Sequence, residues 1–112
     1  MEQPLFARQC KVGKDIYGKT KRVDVILYHP RLWKNCLVIQ SKWQSSHGSV
    51  EEKYPFEVLS IAQNDFDTII ILDGGGYTDG AKQWIINQSG QNHLKHVFNQ
   101  GEFSRFASHG RI

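Results

Sequence analysis

Three stretches of apolar or alternating residues, separated by turn residues, open the chain and predict a three-stranded β-meander. They run from Cys10 to Tyr17, from Arg22 to Tyr28 and from Leu37 to Lys42. Tyr17-Gly18-Lys19 is typical of a turn, and His29-Pro30 ends the second stretch because proline cannot continue a strand ladder. A loop from Arg31 to Asn35 precedes the third. Residues 1–9 carry little pattern, which leaves both a loose arm and a short helix open.

The rest of the chain alternates between helical spacing and apolar runs. Ser49, with Glu52 three positions later, forms a capping-box pattern. The elements expected after it are a helix entered near Pro55, a strand over Thr68–Asp73, a helix over Thr78–Asn87 with Ala81, Trp84 and Ile85 on its core face, a strand over Leu94–Phe98 and a short helix over Glu102–Ala107. The strand over Thr68–Asp73 is apolar on both faces, as buried parallel strands are. The predicted fold class is α/β, with a mixed sheet flanked by helices.

Polar side chains interrupt two of the predicted strands and form the candidate site. Asp24 stands inside an apolar strand, and Gln40 and Lys42 end the next one, two positions apart and therefore on one face. If the two strands are antiparallel neighbours, all three side chains can converge. A carboxylate and an amide oxygen are hard ligands that suit Mg²⁺, and an ammonium can offset charge on a phosphate. A buried Asp24–Lys42 ion pair is the purely structural alternative.

These residues resemble the catalytic core of the PD-(D/E)XK nuclease superfamily. The pattern is Val23-Asp24-Val25 followed by Val38-Ile39-Gln40-Ser41-Lys42, with Asp24 and Gln40 16 positions apart. Longer stretches resemble a bacterial and phage subgroup of these nucleases, and the resemblance covers roughly residues 10–107. Those stretches are Lys42-Trp43-Gln44, Gly48-Ser49-Val50-Glu51-Glu52-Lys53-Tyr54-Pro55 and Leu72-Asp73-Gly74-Gly75-Gly76-Tyr77.

The resemblance implies a restriction-endonuclease-like core and a DNA endonuclease that uses Mg²⁺, for which Mn²⁺ can substitute. It implies Asp24, Gln40 and Lys42 as catalytic residues, with Asp24 and Gln40 holding the metal ion. Restriction, repair and intron-encoded homing enzymes share this core, and the small amount of chain outside it favours a homing enzyme over a restriction enzyme. Cutting both strands of double-stranded DNA needs two active sites, so a homodimer or homotetramer is expected.

Two positions depart from the family pattern. Gln40 replaces the usual acidic residue, which removes one negative charge from the metal site and should lower its affinity. The family often has an acidic residue on a helix before the first core strand, and here only Glu2 precedes that strand. Gln44 lies two positions after Lys42, on the same strand face as Gln40. Its side chain has two possible roles, one in supporting the metal site and one that is purely structural.

The positive charge of the chain indicates a possible nucleic-acid partner and says little about the fold. The net charge is +3, and cations crowd one N-terminal stretch. The candidate DNA-binding residues are Lys11, Lys14, Lys19, Lys21, Arg22 and, on the first helix, Lys53. Such a cluster is equally typical of a solvated hairpin edge, so composition alone leaves both interpretations open.

The length, the cysteine count and the hydropathy of the chain limit the number of domains, the use of disulfides and the cellular location. The 112 residues predict a single nuclease-like domain over 1–112. Cys10 and Cys36 are too few for a disulfide framework. No apolar run has the length of a membrane span, and the first residues lack a signal peptide's apolar core, so a cytoplasmic protein is expected. The resemblance implies that the cell is bacterial or phage-infected. Two alternatives stay open: a DNA-binding relative that has lost cleavage, and a nuclease specific for branched DNA.

Overall fold

The first half of the fold is an antiparallel meander. The computed structural model describes residues 5–43, 54–64, 66–73 and 79–111, without the side chains of Lys42, Trp43 and Arg111. Its first three elements are β1 (Leu5–Lys14), β2 (Thr20–His29) and β3 (Trp33–Trp43). β1 pairs with β2 and β2 with β3, both antiparallel. The predicted meander is confirmed.

The second half alternates helices and strands in the predicted order. Its elements are α1 (Tyr54–Gln63), β4 (Asp67–Asp73), α2 (Asp79–Asn87), β5 (Leu94–Phe98), α3 (Gln100–Phe106) and an irregular helical turn over Ala107–Arg111. α3 begins two residues before its predicted start because Asn99 and Glu102 form a capping box. In it, Asn99 Oδ1 accepts a hydrogen bond from the Glu102 N–H at 2.8 Å, and Glu102 Oε1 accepts one from the Asn99 N–H at 2.9 Å.

The five strands form one mixed sheet in the order β1-β2-β3-β4-β5. β3 and β4 are parallel, and so are β4 and β5. α1 lies between β3 and β4 in the chain and α2 between β4 and β5, as crossover connections between parallel strands require. Every residue from Thr68 to Leu72 of β4 is buried, which confirms the buried parallel strand. The architecture is an α/β fold of restriction-endonuclease-like type.

Two helices pack on this sheet and complete its core. Tyr54 and Ile61 of α1 and Ile85 of α2 are buried against Ile70 and Leu72 of β4. Tyr54 and Ile61 are seven positions apart, or two helical turns, so they share one face of α1. Ile85 is fully buried, whereas its neighbour Trp84 retains 40% exposure, so the assignment of Trp84 to the core is wrong.

The largest differences from the expected boundaries are at the starts of β1 and β3. β1 begins at Leu5, so residues 5–9 form part of a strand, neither a loose arm nor a short helix. β3 begins at Trp33, four residues before the predicted start, and takes up the second half of the expected loop. β1 lies at the edge of the sheet and most of its side chains are exposed, so no apolar alternation marks its first half.

The end of α1 is tied to the turn between β1 and β2. Gln63 Nε2 donates hydrogen bonds to the Lys14 and Asp15 carbonyl oxygens at 2.9 and 2.8 Å, and Asn64 Nδ2 donates to the Lys14 oxygen at 2.9 Å. Gly13, with φ of 61°, lies directly against the Asn64 side chain. These contacts hold the end of α1 against the β1–β2 turn, which brings a face of the helix to the candidate site.

Candidate functional site

Where β2 and β3 reach Asp24 and Gln40, side chains bridge the two strands. The nearest backbone pair is Val25 with Ile39. One step further, Gln40 Oε1 accepts a hydrogen bond from the Asp24 N–H at 3.1 Å, and Asp24 Oδ2 accepts one from the Ser41 N–H at 2.7 Å. Each side chain therefore crosses to the opposite strand, and the structure brings Asp24 and Gln40 together.

The other end of the Gln40 amide contacts a charged group that the sequence did not indicate. Gln40 Nε2 donates to Glu57 Oε1 at 3.4 Å and lies 3.5 Å from the Arg22 carbonyl oxygen, which also accepts. The Lys21 ammonium lies 3.5 Å from the same Glu57 oxygen. Gln40, Glu57 and Lys21 are 4%, 8% and 8% exposed, so this is a buried polar network.

Glu57 is the residue that sequence reasoning missed. A glutamate in a helix is ordinarily a surface residue, and Glu57 lies just outside the stretch 48–55 that carries the resemblance. The available signal was its spacing, because position 57 lies three after Tyr54 and four before Ile61, on the buried face of α1. A charged side chain on a core face is costly unless it is paired, and this one is paired with Lys21.

These groups line one pocket of about 310 Å³. Its lining comprises Gln9, Asp15, Thr20, Lys21, Arg22, Asp24, Gln40, Ser41, Phe56, Glu57 and Ser60. Gln9 of β1 lies between the Arg8–Val25 and Cys10–Val23 pairs, opposite Asp24, and has φ of 52°. A non-glycine residue with that φ is uncommon, so the strand irregularity falls beside the site.

The oxygen atoms in this pocket are of the kind that hard divalent ions take. Mg²⁺ is held by one or two carboxylates together with waters and substrate phosphates, and an amide carbonyl is a further hard ligand. The Asp24 carboxylate and Gln40 Oε1 fit that description. The described residues contain no group of three or more His, Cys, Asp or Glu side chains placed for a metal ion. Both donors, at Asp24 and Gln40, are hard oxygen atoms, and such donors suit Mg²⁺ better than a transition metal bound by nitrogen or sulfur.

The remaining predicted site residues are only partly described. The backbone of Lys42 lies in β3, where it pairs with Leu72 of β4, and its convergence with Asp24 stays a prediction. Glu2, Gln44 and Lys53 lie outside the described residues. So do Ser49 and Glu52 of the expected capping box, and the glycines at 74–76.

The N-terminal cations divide into two groups. Lys11, Lys14, Lys19 and Arg22 are exposed, and Lys11 lies directly opposite Arg22 in the β1–β2 ladder. Lys21 differs, because it is buried and paired with Glu57. A buried, paired ammonium offers little to a DNA phosphate, so the structure separates Lys21 from the exposed cations with which it was grouped.

The fold defines a class. A β-meander joined by a crossover helix to a parallel pair of strands is the arrangement of a restriction-endonuclease-like fold. The chain belongs to the PD-(D/E)XK nuclease superfamily, since a family model described as a PD-(D/E)XK nuclease superfamily domain matches residues 1–109. No curated protein and no solved structure matches the chain.

Membership of the PD-(D/E)XK nuclease superfamily indicates nuclease activity in general terms. The superfamily consists of nucleases, which indicates hydrolysis of nucleic acid, and its members typically use divalent metal ions. In the ranges that the structure covers, no helix is long and apolar enough to cross a membrane.

Proposed function

We propose that the chain is a Mg²⁺-dependent DNA endonuclease in which Asp24 and Gln40 hold the ion and Lys42 assists the attack on the phosphodiester. The observation that carries this proposal is the pair of reciprocal bonds between Asp24 and the Gln40–Ser41 segment, at 3.1 and 2.7 Å. They hold a carboxylate and a carbonyl oxygen side by side in an open pocket, where a phosphate can reach them.

The chain's own residues account for binding and charge at this site. When bound, the ion supplies electrophilic activation of the phosphate and of the attacking water. Asp24 gives the negative charge that attracts the ion, and Gln40 adds a neutral oxygen ligand. The Lys42 ammonium offsets the charge that develops on the phosphate during attack or holds the attacking water.

Double-stranded DNA is the proposed substrate, bound by the exposed cations of the β1–β2 hairpin. Lys11, Lys14, Lys19 and Arg22 are exposed, and Arg22 also lines the pocket with Asp24. A DNA backbone across the hairpin would thus lead into the site. We further propose that residues 1–112 form one nuclease domain, active as a homodimer or homotetramer in the cytoplasm of a bacterial or phage-infected cell, with homing favoured over restriction as its role.

The test is cleavage of supercoiled plasmid with Mg²⁺. The wild type should nick or linearise the plasmid, EDTA should stop it, and Lys42→Ala should lower the rate by roughly a hundredfold or more, the usual effect of removing a group that stabilises transition-state charge. Because Lys42 lies next to the last residue of β3, its replacement by alanine should leave the fold and the Asp24–Gln40 pair in place, and the variant should still bind the ion. Absence of Mg²⁺-dependent cleavage on duplex, branched and single-stranded substrates would favour a DNA-binding relative that has lost cleavage, and cleavage of branched DNA alone would favour a structure-specific nuclease.

A further inference from the structure

The two ends of the Gln40 amide face chemically opposite surroundings. Oε1 faces the Asp24 N–H, whereas Nε2 faces Glu57 Oε1 and the Arg22 carbonyl oxygen. We propose that Glu57 is a positioning residue that fixes the orientation of this amide and so presents its carbonyl oxygen beside Asp24. The proposal rests on the metal-dependent function above and deepens it.

The reversed amide would be strongly disfavoured. It would place an oxygen against the Glu57 carboxylate and the Arg22 carbonyl, and an NH₂ group against the Asp24 N–H. All three hydrogen bonds of the Gln40 side chain would then be replaced by repulsive contacts, at a position only 4% exposed, where unsatisfied polar groups are costly. Glu57 is the only charged acceptor among these contacts, and hydrogen bonds to a charged acceptor are the stronger kind.

Lys21 allows Glu57 to fill this role without adding net charge to the metal site. The Lys21 ammonium lies 3.5 Å from the oxygen that accepts from Gln40, and the two side chains are about equally buried. The pair thus supplies a hydrogen-bond acceptor while its own charges cancel. Asp24 remains the carboxylate that faces the ion.

The same geometry explains why position 40 carries an amide in this chain. A carboxylate at position 40 would lie about as close to Glu57 as Gln40 Nε2 does, 3.4 Å, and would also face the Arg22 carbonyl oxygen. Two carboxylates at that separation repel strongly inside a protein. Gln40 is therefore the residue type that matches a neighbouring glutamate on α1, and it does not by itself mark a lost activity.

Two double variants separate the acceptor from the ion pair. Lys21→Met/Glu57→Gln and Lys21→Met/Glu57→Leu both remove the buried charges, and they differ only in whether position 57 can still accept a hydrogen bond from Gln40. Mn²⁺ affinity, measured by electron paramagnetic resonance, should stay close to that of the wild type in the first. It should fall about tenfold or more in the second, as loss of an outer partner of a metal ligand usually does. In the metal-free protein, the Gln40 side-chain NH₂ signals should stay protected from hydrogen exchange in the first variant, as in the wild type, and lose that protection in the second.

The other possible results for these variants would overturn either the positioning role of Glu57 or the proposed function. Equal Mn²⁺ affinity in the two double variants would overturn the positioning role, as would wild-type protection of the NH₂ signals in the leucine-containing one. Loss of Mn²⁺ binding in both would show that Glu57 acts through its charge and would also overturn it. A wild type that binds no Mn²⁺ and cuts no DNA would instead refute the proposed function. Asp24→Asn, which should lose the ion while keeping the protection of the Gln40 signals, separates the two failures.

Discussion

At the scale of single residues, the site depends on groups that come from distant parts of the chain. Asp24 and Gln40 could be predicted, because polar residues inside apolar strands stand out and antiparallel strands bring them together. Glu57 and Lys21 could not, because their pairing depends on how α1 lies on β2, which no local pattern encodes. The Lys21–Glu57 pair also shows why a cluster of lysines is a weak guide to a binding surface, since one of five adjacent cations is buried.

The buried pair should be sensitive to the loss of one partner. Glu57→Gln alone removes the carboxylate that lies 3.5 Å from the Lys21 ammonium, at a residue that is 8% exposed, and should lower the free energy of unfolding by roughly 3 kcal/mol. Lys21→Met/Glu57→Gln removes both charges and should regain most of that loss. Urea denaturation of the three proteins measures both effects. Equal stability of the single and double variants would contradict a significant buried ion pair.

At the scale of elements, the order and type of every strand and helix followed from periodicity, because the core faces of β4, α1 and α2 are strongly patterned. The boundaries of β1 could not be predicted in this way. An exposed edge strand buries too few side chains to show an alternation of apolar and polar residues in its sequence. The capping box of α3 can be recognised in the sequence from Asn99 and Glu102, and it sets the start of the helix at Gln100.

The contact between α1 and the β1–β2 hairpin gives a prediction at this scale. Gly13 and Gly18 both have positive φ, 61° and 78°, but only Gly13 has a side chain, Asn64, in the space that a Cβ would occupy. Gly18→Ala should cost about 1 kcal/mol from backbone strain alone. Gly13→Ala should cost clearly more, because Asn64 must move and its bond to the Lys14 carbonyl oxygen weakens. Equal losses in urea denaturation would show that α1 is not held by this contact.

At the scale of the whole molecule, a mixed sheet carries the pocket and the hairpin beside it carries the exposed positive charge. The parallel half of the sheet and its helices provide the buried core, and the antiparallel half provides Asp24, Gln40 and the cations. Fold class and the presence of this site were accessible from sequence because they depend on strand order. The DNA target and the number of subunits depend on surfaces that one chain's pattern does not define.

The exposed hairpin cations should act as phosphate contacts. Lys11→Ala should weaken duplex binding by a similar factor for every sequence and should lower the salt dependence of log K by about one unit in slope. Fluorescence anisotropy with Ca²⁺ in place of Mg²⁺ measures this. Lys95→Ala is the matched control, because Lys95 lies on β5 beside Asp67, away from the hairpin. If both variants bind alike, the hairpin is not the DNA-binding surface.

If Asp24 and Gln40 hold a divalent ion, a crystal soaked with Mn²⁺ will show that ion between them. We expect an anomalous peak at about 2.0–2.2 Å from an Asp24 carboxylate oxygen and from Gln40 Oε1, as octahedral ions of this size require. A protein that binds Mn²⁺ only elsewhere, with the pocket between β2 and β3 holding water alone, would contradict this expectation.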